Sequence, residues 1–540
     1  MATGAPATGS LVRAYARRRV DALGVTAEAR GAIAIVAAFL GITFWWLSQD
    51  RSIPVFDAGL HLSGAFYVFH ALQDGNLGTA LSLTVPYPPL AYLVGSLGIA
   101  IGGRAVAPPI VAENVVFVPL LALGCYHAAR IVFNRTAGLL AVAFALCSPL
   151  ITAQFHVFMI DAPETAMVAV FLWAILASEN FSRLGASGAA GAAVGLGLLT
   201  KEPFAFYVVG PVAVALARGR RQALRGFLVF LALAALLALP WYLSELSHVT
   251  SLGSAAVSEG GKSSDAADIS PAPLSLDNLE WYFWNLVNAQ LYLPLFLFSA
   301  VGFVWAAHGL VRRRIASAHL LDVVVGAVVA WLAITETFVH DTRYSMPLLV
   351  YLAVFGVGWI TALSAPRRQA AIAVLALVCA ADVAGTSFGL GGSLSVDLGN
   401  AHTTALQRPG RFTIFSDRGY QVSKPERDGD VLAIYEALRR GGVRAVVIEA
   451  SAEGELAFSG AGLVAFGAIA SLPTVSDAAV PVSRIGERYA FLHHGSLGSR
   501  RAPPCVRLSN GSGVWINLGD DGPPQRRYYC PSRDPAFYPE

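Results

Sequence analysis

Acids and bases recur at the boundaries of long apolar runs in this chain, and their types suit binding of a phosphate beside an acid or base. Asp57 and His61 lie four apart and share one face if that stretch is helical. Asp161 and Glu164 open another run, Lys201 and Glu202 sit in Leu199-Thr200-Lys201-Glu202-Pro203, and Arg343 sits in His340-Asp341-Thr342-Arg343-Tyr344. Lys201 and Arg343 suit a phosphate, Arg offering a two-pronged fork. A carboxylate such as Asp57 suits a general base or a metal ligand. Taken singly, each has a plainer reading. Lys201 and Arg343 could snorkel to a membrane interface, Asp161 could cap a helix, and Trp241 and Tyr242 could belong to an interfacial aromatic belt. These readings account for each residue but not for their gathering on one side.

That side follows from the elements that must carry the residues. The chain has 540 residues, 55% hydrophobic and 14% charged, with a mean hydropathy of +0.57. Soluble domains carry about 25% charged residues. The apolar surplus forms runs such as 31–47, 137–151, 227–239, 322–334 and 370–380. With their flanks several reach the roughly 20 residues a spanning helix needs. They lack strand alternation, and only helices or closed barrels satisfy their backbone in lipid. Cytoplasmic loops are enriched in Lys and Arg. Arg13, Arg17, Arg18, Arg19 and Arg30 therefore put the N-terminus inside. The turns at 130–135, 183, 218–225, 312–314 and 367–368 also fall inside if 58–72 and 88–102 lie on the membrane surface. All the polar junctions above then fall outside.

The expected fold class is a polytopic α-helical membrane protein of about eleven transmembrane helices, with surface helices in the first outer loop. Residues 1–30 form a cytoplasmic N-terminus, 31–388 the transmembrane domain, and 389–540 a small extracytoplasmic α/β domain. Within that last part 430–440 reads as an amphipathic helix and 444–449 as a buried strand. Cys125, Cys147 and Cys379 lie in apolar runs, whereas Cys505 and Cys530 could pair in an oxidising compartment. A net charge of +3 gives no reason to expect nucleic acid.

The motifs resemble those of the GT-C class of membrane glycosyltransferases, especially the protein O-mannosyltransferase and aminoarabinose transferase branch. The resemblance runs through about 31–363. It rests on Asp57 soon after the first span, Tyr87-Pro88-Pro89-Leu90, Asp161, Gly195-Leu196-Gly197-Leu198-Leu199-Thr200-Lys201, Pro240-Trp241-Tyr242, and Arg343-Tyr344 followed by Pro347. It implies transfer of a sugar from a polyprenyl-phosphate donor to a glycan, lipid or protein acceptor on the outer face of the cytoplasmic membrane, with inversion. By the same resemblance Asp57 is the catalytic carboxylate, and Lys201 and Arg343 hold the lipid phosphate. Asp161 orients the acceptor, the sugar or a cation, and His61, Glu164, Glu202, Tyr344 and Tyr87 support them. Ala58 follows Asp57 where the family often has a second acid, and Pro86-Tyr87 stand where the aminoarabinose branch has Glu and Lys. A divalent cation held by Asp57 and His61 stays open. So do two other readings, a lipid-linked-sugar transporter and a non-catalytic scaffold of the same fold.

Overall fold

The computed structural model describes residues 26–50, 56–73, 75–81, 87–103, 107–219, 223–246, 275–312, 319–335 and 341–398. In the C-terminal part it describes 410–416, 445–449, 482–485, 488–492, 505–507 and 513–517. The helix expected over 430–440, His340 and the Cys505–Cys530 pairing lie outside these residues.

The chain is a helical membrane bundle followed by strands. Its helices are α1 (Ala27–Gln49), α2 (Phe56–Gln73), α3 (Leu77–Leu81), α4 (Leu90–Gly102), α5 (Ala107–Val132), α6 (Arg135–Cys147), α7 (Pro149–Gln154) and α8 (Asp161–Ala177). They continue as α9 (Leu184–Leu198), α10 (Phe204–Arg218), α11 (Ala223–Ser244), α12 (Leu276–Asn285), α13 (Tyr292–Val311), α14 (His319–Ile334), α15 (Leu348–Thr361) and α16 (Ala365–Phe388). Among the described residues five helices, α1, α5, α11, α13 and α16, are long and apolar enough to cross a membrane. Six further apolar helices are shorter.

Local chemistry sets several boundaries. Thr26 caps α1 by accepting from the Ala29 amide at 3.3 Å, and Asn134 caps α6 by accepting from Ala137 at 3.0 Å. The apolar run over 137–151 breaks at Ser148-Pro149, because proline cannot donate to the preceding turn. The helical stretch over 276–311 is also interrupted. A five-residue π turn, Leu286–Gln290, joins α12 to α13. Gly389, at φ +62°, ends α16 in the left-handed conformation that glycine adopts freely.

Small residues let the helices meet closely, as membrane bundles require. A Cβ on Gly124 of α5 would sit 2.3 Å from the Ala169 backbone of α8. One on Gly191 of α9 would sit 2.2 Å from the Phe230 carbonyl of α11, and one on Gly302 of α13 would sit 2.1 Å from the Phe355 carbonyl of α15. The core is apolar and continuous across these helices.

After α16 come β1 (Ser393–Asp397) and β2 (Arg411–Ser416), an antiparallel pair. Strands β3 (Ala445–Glu449), β4 (Val482–Ile485), β5 (Arg488–Leu492), β6 (Cys505–Arg507) and β7 (Gly513–Asn517) form an antiparallel sheet in the order β4-β5-β3-β7-β6.

Candidate active site

Four segments distant in sequence converge at one end of the bundle. They are the first turn of α2, the first turn of α8, the turn between α9 and α10, and residues 341–347 ahead of α15. Asp161, the first residue of α8, does not cap its helix with its side chain. Its Oδ1 instead accepts from Lys201 Nζ at 2.6 Å. Both side chains are buried, at 1% and 5% exposure. Arg343 Nη1 stands 3.9 Å from Asp161 Oδ2, and Arg343 Nη2 donates to Asp57 Oδ2 at 2.7 Å. Arg343 thereby links α2 to the Lys201–Asp161 pair. Its Nε also donates to Asp341 Oδ1 at 2.9 Å, and Nη2 to Asp341 Oδ2. Met159 Sδ lies 3.7 Å from Nη1.

The motif residues around this cluster act as its frame. Gly197 leaves the space that the Phe204 ring fills, for a Cβ there would sit 2.3 Å from it. That contact keeps the turn from α9 to α10 tight, with Lys201 buried. The Leu90 amide donates to the Leu199 carbonyl at 2.9 Å and ties the Pro-Pro-Leu segment to the lysine turn. Tyr242 donates to the Leu198 carbonyl at 3.0 Å, and Trp241, buried, donates to the Leu81 carbonyl at 3.0 Å. Tyr207 donates to the Tyr344 carbonyl, which anchors the arginine turn to α10. The Tyr344 ring covers Lys201, with Nζ 4.3 Å from its centre.

The electrostatics hold both cations charged. Burial would lower the Lys201 pKa, but Asp161, with Glu164, Tyr344 and Tyr87 behind it, outweighs burial and raises it. Burial likewise opposes the Arg343 charge, and the hydrogen bond to Asp341 with the charges of Asp161 and Asp341 reverses that. Burial pushes His61, on α2, down to about 4 and leaves it neutral near pH 7. Its Nδ1 shares a 2.8 Å hydrogen bond with the Tyr92 hydroxyl, and its ring meets the Tyr87 ring edge-on at 5.1 Å. Burial raises the Tyr87 and Tyr344 hydroxyls. Glu202 is pushed up to about 7, first by burial, and its Oε1 has no hydrogen-bond partner. Glu164, one turn after Asp161, is buried with Oε1 likewise unpartnered.

Exposure divides the site into a floor and a lip. Lys201 and Asp161 are the floor. Arg343, at 15%, and Asp57, at 50%, form the lip. The sequence put Lys201 and Arg343 on one footing as phosphate ligands; in the folded chain they lie at different depths. Sequence reading also gave no role to Asp341, whose place two residues before Arg343 was the available signal. It passed over Tyr92 and Glu113 too, the latter a fully buried acid on α5. Among the described residues no group of three or more His, Cys, Asp or Glu is arranged to hold a metal ion. Asp57 Oδ2 is spent on Arg343, and His61 Nδ1 on Tyr92.

Comparison with known proteins follows the same lines. Residues 86–243 match the family described as dolichyl-phosphate-mannose-protein mannosyltransferase. No curated protein matches the sequence. The crystal structure of ArnT from Cupriavidus metallidurans bound to undecaprenyl phosphate is similar in fold, with a TM-score of 0.50 and 16% identity over 81% of this chain and 76% of that one. The archaeal oligosaccharyltransferase AglB from Archaeoglobus fulgidus, in complex with an inhibitory peptide and a dolichol-phosphate, gives a TM-score of 0.45 and 14% identity over 76% of this chain and 58% of that one. The protein shares the fold of the GT-C class of membrane glycosyltransferases. The resemblance read from its motifs is borne out.

Proposed function

We propose that the protein transfers a sugar from a polyprenyl-phosphate donor to an acceptor hydroxyl at the outer face of the cytoplasmic membrane, inverting the anomeric carbon. The observation that carries this reading is the Arg343 bridge, which joins the accessible carboxylate of Asp57 to the buried Lys201–Asp161 pair. The acceptor hydroxyl gives its proton to Asp57 as its oxygen bonds to the anomeric carbon. The bond from that carbon to the phosphate oxygen breaks, and its electron pair leaves with polyprenyl phosphate. Arg343, at the lip, meets the phosphate directly and stabilises the charge that develops on it. Lys201 adds its field from below and fixes Asp161, which in turn holds Arg343 in place. Tyr87 and His61 line the Asp57 side, with His61 neutral and positioned by Tyr92. The ArnT and AglB structures, solved with undecaprenyl phosphate and a dolichol-phosphate, supply the lipid class to test first. The charged groups cluster at helix ends rather than at mid-membrane, where transporter sites lie, so transfer accounts for them better than transport.

The test is release of polyprenyl phosphate by purified protein in detergent, given a panel of polyprenyl-monophosphate sugars with candidate acceptors. Release from one donor, lost in Asp57→Asn, is the expected result. Folded protein that binds none of the donors and releases no lipid phosphate overturns the reading.

A further inference from the structure

The π turn between α12 and α13 has a geometric consequence for the arginine turn. Residues five apart on an α-helix fall about 140° apart around its axis. A π turn, bonded from i to i+5, brings them back onto one side. Asn285 and Gln290 are five apart, and both reach the same two acceptors. Gln290 Nε2 donates to the Thr342 carbonyl at 2.5 Å and to Ser345 Oγ at 2.7 Å. Asn285 Nδ2 lies 3.4 Å from that carbonyl and 3.3 Å from that hydroxyl. Those acceptors flank Arg343. Asn285, Gln290 and Ser345 are fully buried, so these bonds have no water competing for them.

The opposite side of the π turn is held from the C-terminal part of the chain. Asn288, midway along the turn, accepts at Oδ1 from the Thr413 amide at 2.9 Å and from the Thr413 hydroxyl at 3.0 Å. Thr413 is the one buried residue of β2. Beside it the Phe412 ring meets Trp284 at 5.2 Å, and the Phe415 ring lies where a Cβ on Gly385 of α16 would be 2.8 Å away. Tyr292 leaves the π turn at φ +53°, a conformation a tyrosine holds only when its surroundings impose it.

We propose that Asn285 and Gln290 are positioning residues for Arg343, and that β2, through Thr413 and Asn288, holds the π turn that aims them. The first hairpin after the bundle is then part of the lipid-phosphate site, and its docking sets the affinity for that phosphate. This inference rests on the reading of Arg343 as the phosphate ligand.

The experiment is a double-mutant cycle in the full-length protein, measuring binding of undecaprenyl phosphate. Gln290→Leu should weaken binding about 10- to 100-fold, the scale of a displaced contact group. In an Arg343→Ala background the same substitution should change nothing further. Thr413→Val and Asn288→Ala should show smaller losses that also vanish in that background, and Thr413→Ser, which keeps the hydroxyl, should restore binding. A Gln290→Leu effect of equal size in both backgrounds overturns the proposal, because a general loss of structure does not act through one arginine. If Gln290→Leu does not fold, the Asn288 and Thr413 variants carry the same cycle, and their binding as wild type refutes it. Should Arg343→Ala itself leave undecaprenyl phosphate binding unchanged, the reading of the site fails. Should Arg343→Ala weaken binding while the Gln290, Asn288 and Thr413 variants do not, only this inference fails.

Discussion

Replacing Lys201 with Met removes one half of a buried ion pair, and the structure allows the cost to be worked out. Nζ and Asp161 Oδ1 are 2.6 Å apart, which at an effective dielectric constant of about 20 is an attraction of about 6 kcal/mol. Much of that offsets the desolvation of two groups at 5% and 1% exposure. Removing one partner of such a pair typically costs about 3–5 kcal/mol, because the other charge is left buried. Asp161 is not wholly abandoned, for Arg343 Nη1 stands 3.9 Å from its other oxygen and supplies about 4 kcal/mol on the same scale. The loss should therefore fall at the low end, about 3 kcal/mol. In a chain this size that lowers the melting midpoint by roughly 3 °C. Adding Asp161→Asn removes the orphaned charge, so the double variant should recover about 2 kcal/mol relative to the sum of the singles. Lipid-phosphate binding and turnover should not recover with it, since the field beneath the phosphate is gone. Thermal unfolding of the two single variants and the double in detergent, with a binding assay beside it, reads both quantities. Strict additivity would show that the two groups do not interact as drawn, and recovered turnover would show that Lys201 is only a structural cation.

Asp57→Asn should lower turnover about 10²- to 10⁴-fold, the range for loss of a general base. It should change stability by less than about 1 kcal/mol, because the Asp57 side chain is 50% exposed and such pairs contribute little. Glu202 supplies a pH dependence of stability. It holds its proton to about pH 7 in the folded chain, against an ordinary value of 4.5. Between those values the folded state binds more protons than the unfolded one. Its contribution to stability should therefore be fully present below about 4.5 and be lost through 7, by on the order of 3 kcal/mol. Melting midpoints across that window should flatten in Glu202→Gln. At the α9–α11 contact, Gly191→Leu should prevent accumulation of folded protein, its Cβ meeting the Phe230 carbonyl at 2.2 Å. Gly41→Ala, with nothing within 4 Å, should be neutral by size-exclusion profile and yield.

What was legible in the sequence was whatever stands out against an apolar background. Asp57, Asp161, Lys201 and Arg343 are ionisable residues at run boundaries, where their cost demands a partner. Their convergence could be inferred from the side they share, without any contact being known. Depth could not. Lys201 and Arg343 are equivalent as cations in the sequence, and only packing buries one under Asp161 and Tyr344. The π turn was hidden because an apolar run has the same composition whether bonded to the fourth or the fifth residue. Its signature is a tertiary one, two amides five apart that share acceptors. The break at Ser148-Pro149, by contrast, is written in the chain, inside a run over 137–151 whose hydrophobicity alone reads as continuous. Glu113 went unseen because it lies inside a run rather than at its edge.

The resting site carries its own substitutes for substrate. Two cations face three carboxylates, Asp57, Asp161 and Asp341, so on the proposed reading a phosphate that bonds a cation here would displace one of them. Asp341 grips Arg343 through two side-chain bonds and accepts the Arg343 amide as well, and Asp161 is buried. Asp57 is the exchangeable partner, held by a single bond to Arg343 Nη2 and half exposed. On the proposed reading, a phosphate that takes that nitrogen would release the Asp57 carboxylate at the moment an acceptor hydroxyl needs it, coupling donor binding to activation of the base. The coupling fixes a sign. Asn in place of Asp57 competes less for Arg343 and removes a negative charge beside the phosphate. Asp57→Asn should thus bind undecaprenyl phosphate more tightly than wild type, by about 2- to 5-fold, while losing turnover. Equilibrium binding of the labelled lipid to both proteins decides it. Weaker binding by the Asn variant would mean that Asp57 supports the phosphate site rather than vacating it, and the exchange would be wrong.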